Sequence, residues 1–131
     1  MPGCIILVVE DDPEIRTVLL EILEEENLTV IGARSGAEAL AIVEQEAIDL
    51  IILDLVLPDV SGIAMIKEIR SRRSTTAILA LSGSPAGLTM AQEQGVDGFL
   101  AKPFDLDDLV EVVTRLCPAK GKRRQPSRTT A

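Results

Sequence analysis

Short, wholly apolar runs alternate along this chain with stretches in which apolar residues recur every three or four positions. Residues 4–9 (CIILVV) are one such run, rich in β-branched side chains, and predict a strand covered on both faces. Asp12-Pro13-Glu14 follows as an N-cap, a first-turn proline and a first-turn acid. Ile15, Val18, Leu19, Ile22 and Leu23 give the helix it opens an apolar stripe. Residues 28–33 read as a second strand, and Ser35 with Glu38 as the capping box of a helix reaching about residue 46. A third buried strand spans 49–53 and ends at Asp54. Pro58, Ser61 and Gly62 then break the chain, with Ser61 capping a helix to about residue 72. Residues 77–81 predict a fourth strand, followed by a Ser-Gly-Ser-Pro turn and a helix to about residue 94, where Gly95 fits a C-terminal cap. That helix is expected to be truncated or mobile, because Pro85, Gly87 and Thr89 are poor helix formers. Residues 97–101 complete the strands. Asp105 with Asp108 opens the last helix, striped by Leu106, Leu109, Val110, Val113 and Leu116.

Five β-α units predict an α/β fold, a parallel sheet with helices on both faces and right-handed crossovers. Sites in such open sheets form beyond the carboxyl ends of the strands. Glu10 and Asp11 end the first strand, Asp54 the third, Ser82 the fourth and Lys102 the fifth. Each has an ordinary explanation alone, and Asp12 reads as a helix cap. Together they gather three carboxylates, a hydroxyl and an ammonium on one edge. Crowded carboxylates raise each other's pKa unless a cation intervenes, and oxygen-only ligands point to Mg²⁺. Such a cluster suits phosphoryl chemistry, with a carboxylate as nucleophile. The chain has neither GxxxxGK[ST] nor GxGxxG, so nucleotide phosphate cradles are not indicated.

Composition narrows this further. The 131 residues suit one domain. With two Phe and no Trp or Tyr the core must be aliphatic, and base-stacking functions are disfavoured. The lack of His excludes a histidine base and histidine-bound zinc. Cys4 and Cys117 are expected to be free thiols, buried or terminal, in a reducing compartment. No apolar run reaches the roughly 18–20 residues of a membrane span, and no secretory leader is evident, so a cytoplasmic location is expected. All 21 acids lie in residues 1–117 with eight Lys and Arg, a net of −13. Residues 118–131 carry the other basic residues and read as a disordered tail or the start of a linker. Nucleic-acid binding is disfavoured, because the acidic part would repel phosphates.

The segments ILVVEDDPEIR (6–16), DLIILDLVLPDVSG (49–62), ALSG (80–83) and FLAKPF (99–104) resemble, in order, the receiver domain of bacterial two-component response regulators. That resemblance covers about residues 1–117. It implies a flavodoxin-like sheet of order 2-1-3-4-5, a phospho-acceptor at Asp54, and Mg²⁺ held by Glu10, Asp11, Asp54 and the backbone carbonyl of Val56. It also implies that Lys102 pairs with phosphoryl oxygens, that its bond to Pro103 is cis, and that Ser82 bonds the phosphoryl group. Phe99 falls at the family's switch position; a fixed core Phe is the alternative. The donor would be a histidine kinase or a histidine-phosphotransfer protein. The domain would catalyse only its own phosphorylation and dephosphorylation, acting on an unknown output partner, alone or as part of a larger regulator or hybrid kinase. A Mg²⁺-dependent small-molecule phosphohydrolase is the alternative, weakened because Val56 stands where its general acid would lie. Val112, off the main stripe of the last helix, is a candidate for a homodimer surface.

Overall fold

The computed structural model describes residues 4–73 and 75–117. The elements alternate as β1 (Ile5–Val9), α1 (Pro13–Glu25), β2 (Thr29–Ala33), α2 (Gly36–Gln45), β3 (Leu50–Asp54), α3 (Gly62–Arg72), β4 (Ala77–Ser82), α4 (Pro85–Glu93), β5 (Gly98–Ala101) and α5 (Leu106–Leu116). All strand pairs are parallel, in the order β2-β1-β3-β4-β5. The order reverses at β1, where the chain crosses to β2 on one side and β3 on the other. That reversal opens a crevice between the carboxyl ends of β1 and β3.

Successive strand residues face opposite layers, and the core divides accordingly. Leu7, Val9, Ile51 and Leu53 pack with Ala39 and Val43 of α2, Met65, Ile66 and Ile69 of α3, and Ala91 of α4. Ile6, Val8, Ile52 and Leu79 pack with Leu19 and Leu23 of α1 and with Leu109 and Val113 of α5. The continuous apolar runs of β1, β3 and β4 follow from burial on both faces.

The helix starts form as their sequences predict. Asp12 accepts hydrogen bonds from Glu14 N and Ile15 N, Ser35 from Glu38 N, and Ser61 from Ala64 N. Helix α4, expected to be truncated or mobile, is a formed nine-residue helix capped by Ser84, with Leu88 and Ala91 buried. Gly95 follows it at φ +83°, the left-handed conformation of a C-terminal cap.

Several expectations need correction. Cys4 and Cys117 are joined in a disulfide, Cα to Cα 5.5 Å, and are not free thiols. The last turn of α5 returns to the start of β1, bringing together residues at opposite ends of the domain. Ile15 and Val18 are 42% and 44% exposed, so the buried stripe of α1 is narrower than its apolar pattern. Leu106 is likewise exposed at the start of α5. Val112 is half-buried against the core, with Cγ1 3.5 Å from where a Cβ on Gly98 would sit. Asp105 stands at the N-cap of α5 without a side-chain capping bond. The basic segment 118–131 lies outside the described residues. No helix among the described residues is long and apolar enough to cross a membrane.

Candidate functional site

The site lies at the carboxyl edge of β1, β3, β4 and β5. Just past β1, Glu10 N donates to Ala33 O at 2.9 Å, which prolongs the β1–β2 pairing and turns the Glu10 side chain into the crevice. Glu10 is 2% exposed; its Oε2 accepts from Asp12 N at 3.1 Å, while the buried Oε1 has no hydrogen-bond partner. Asp54 closes β3 at 4% exposure. Its Oδ1 accepts from Val56 N at 2.9 Å and its Oδ2 from Lys102 Nζ at 2.6 Å. Lys102 also lies 3.7 Å from Glu10 Oε1. Asp11 is exposed at the mouth, and carboxylate oxygens of Glu10, Asp11 and Asp54 lie within 4.8 Å of one another.

This crowding leaves an electrostatic mark. The Glu10 pKa is pushed up to about 7, first by burial and then by Asp54 beside it. For Lys102, burial acts to lower the pKa, but the hydrogen bond to Asp54 and the charges of Asp54 and Glu10 outweigh it, and the net shift is upward. One ammonium offsets only part of three carboxylates. Oxygen donors in this number, one of them buried without a hydrogen-bond partner, fit a hard divalent cation.

The other predicted residues take distinct positions. Ser82 is buried at the end of β4, where its Oγ accepts from Ser84 N at 3.0 Å and donates to Ser84 O at 3.4 Å. The hydroxyl is thus engaged with the turn into α4. Lys102 N donates to Ser82 O at 2.9 Å, which ties the ends of β4 and β5 together. The Lys102–Pro103 bond is cis, as the resemblance implies. Phe99 is 44% exposed on β5, which removes the fixed-core alternative. A groove of about 400 Å³ runs from Glu10 and Lys102 past Ile15, Pro103 and Phe104.

Two supporting residues had no functional signal in the sequence. Arg16 folds back from the first turn of α1, its NH1 donating to Glu10 O at 2.8 Å and Asp11 O at 3.4 Å. Asp59, in the loop after β3, accepts from Gly36 N and Ala37 N at 2.9 Å each. Those two bonds hold its carboxyl below the usual range. Its partners lie more than twenty residues away in sequence, so no local pattern reveals it.

A family model described as the response regulator receiver domain matches residues 6–114. The chain belongs to that family. This receiver is 38% identical over 106 residues to the transcriptional regulatory protein CpxR of Klebsiella pneumoniae, covering 80% of this chain and 45% of CpxR. It therefore spans less than half the length of that relative. Its fold matches the chemotaxis response regulator CheY4 of Vibrio cholerae with a TM-score of 0.81 at 30% identity, covering 87% of this chain and 98% of CheY4. It also matches the response regulator TrrA of Thermotoga maritima, solved in complex with Mg²⁺-BeF, with a TM-score of 0.80 at 34% identity over 88% of this chain and 99% of TrrA.

Proposed function

We propose that this receiver accepts a phosphoryl group on Asp54 from a phosphohistidine of a histidine kinase or histidine-phosphotransfer protein. One observation carries the reading: a nearly buried Asp54 carboxylate bonded to Lys102 Nζ at 2.6 Å, with two further carboxylates within 4.8 Å. An Asp54 oxygen attacks phosphorus, the phosphorus–nitrogen bond breaks, and its electron pair leaves with the imidazole. Lys102 faces the phosphoryl oxygens as charge shifts onto them.

Glu10, Asp11, Asp54 and the carbonyl of Val56 would hold Mg²⁺, with Glu10 acting through water. The bound cation would supply charge neutralisation at the phosphoryl group. The resemblance to a protein solved with Mg²⁺-BeF supports this assignment. Ser82 would exchange its contacts at Ser84 for the phosphoryl group, and Phe99 would turn inward behind it. That change is a shift between two populations, bounded by how differently the phosphoryl group interacts with each. Hydrolysis of the acyl phosphate resets the receiver. The donor would approach along the groove past Ile15 and Phe104. We place this exchange in the cytoplasm, with the output delivered through protein contacts to a partner or to further domains of a longer regulator.

Intact mass after incubation with acetyl phosphate and Mg²⁺ tests the reading. A single Mg²⁺-dependent phosphoryl adduct, lost in Asp54→Ala, is the expected result. A folded protein that takes no phosphoryl group from acetyl phosphate or from any purified histidine kinase overturns it.

A further inference from the structure

The acidic pair depends on a turn that neither the sheet nor the helix fixes alone. Residues 10–12 leave the β1–β2 ladder at the bond from Glu10 N to Ala33 O and enter α1 at the Asp12 cap. Between those anchors the carbonyls of Glu10 and Asp11 are gripped from outside by the Arg16 guanidinium, at 2.8 and 3.4 Å. Arg16 lies on the first closed turn of α1, where its N–H bonds Asp12 O at 2.9 Å. Its stem crosses β2 at Gly32: a Cβ there would stand 3.3 Å from Arg16 Cδ and 3.2 Å from Leu20 Cδ1. Glycine at that position gives the stem room to run back under the turn.

The geometry points to Arg16 as a positioning residue for the cation site, one that fixes the direction of the Glu10 and Asp11 carboxylates by holding their backbone. This rests on the Mg²⁺ reading above. Groups that orient metal ligands without touching the metal commonly account for 10–100-fold of affinity, because a misaimed ligand must be reordered on binding. An opposing effect exists: a fixed positive charge near the site repels a dication. The guanidinium is bound to carbonyls rather than carboxylates and is only half-buried, so solvent screens its charge while the hydrogen bonds keep their geometry. Positioning therefore outweighs repulsion, and the two effects predict opposite signs.

The test is Mg²⁺ affinity by isothermal titration calorimetry on the full chain, for wild type, Arg16→Ala and Arg16→Lys, each well below its own melting temperature. Arg16→Ala is expected to weaken Mg²⁺ binding about tenfold. Arg16→Lys, which keeps the charge but loses the forked donor, should weaken it several-fold. Unchanged or tighter binding in Arg16→Ala overturns the inference, as does wild-type affinity in Arg16→Lys. If Arg16→Ala does not fold, Arg16→Lys decides alone. A wild-type protein that binds no Mg²⁺ removes the cation reading itself, and this inference with it, a result distinct from equal affinities across the three proteins.

Discussion

At the scale of single residues, Glu10 shows how burial and a neighbouring carboxylate act together on one group. Folding places its carboxyl beside Asp54 and removes it from water, raising its pKa from 4.5 to about 7. The folded state therefore holds the Glu10 proton more tightly than the unfolded chain. The stabilisation this confers is fully present below about pH 4.5 and is lost as pH rises through about 7. Without metal, chemical denaturation of wild type and Glu10→Gln should show the variant gaining stability relative to wild type across that window. A constant difference between the two across the window contradicts this account. Mg²⁺ should act in the opposite sense and stabilise wild type more at the upper end, since the carboxylate must lose its proton to serve the cation. The carboxylate cluster was legible because parallel strands deliver their last residues to one edge. The lack of a hydrogen bond to Glu10 Oε1 and the Arg16 brace were not, because both depend on side-chain direction across elements.

At the scale of elements, the ends of the helices carry the connection to the site. Gly62 opens α3 directly below the loop that leaves Asp54, and its N–H donates to Leu55 O at 3.0 Å. A glycine-to-alanine change near a helix start usually stabilises, by restricting the unfolded chain. Here an added Cβ would collide with the Leu55 backbone and side chain, which cannot withdraw without moving the residue next to Asp54. Gly62→Ala should cost about 1–3 kcal/mol in denaturant unfolding; a neutral or stabilising outcome would show that the loop can yield. Local pattern also overstates burial in α1. Its apolar face is broad, but the sheet covers only the arc containing Leu19 and Leu23, leaving Val18 exposed and Ile15 at the groove beside the site.

At the scale of the whole molecule, the Cys4–Cys117 bond closes a loop of 113 residues around the domain. Cross-linking chain ends so far apart restricts the unfolded ensemble strongly, worth about 3–5 kcal/mol. Reduction should lower the melting temperature by roughly 10–20 °C for a domain of this size, and Cys117→Ser should melt alike with and without reductant. An unchanged wild-type melting curve on reduction would mean that packing of α5 alone holds the chain ends. The bond also bears on the proposed cytoplasmic location, where disulfides are usually transient.

The sequence by itself determined the alternation of strands and helices, the helix caps at Asp12, Ser35 and Ser61, and the strand ends that carry Glu10, Asp54 and Lys102. These follow from period, cap chemistry and parallel connectivity, all of which act over a few residues or through a handedness rule. Only the tertiary structure decided that Cys4 meets Cys117, that Asp59 holds α2, that Arg16 grips the acidic turn and that Phe99 faces outward. Those outcomes depend on how layers settle against one another, and contacts between residues distant in sequence leave no periodic trace in one chain.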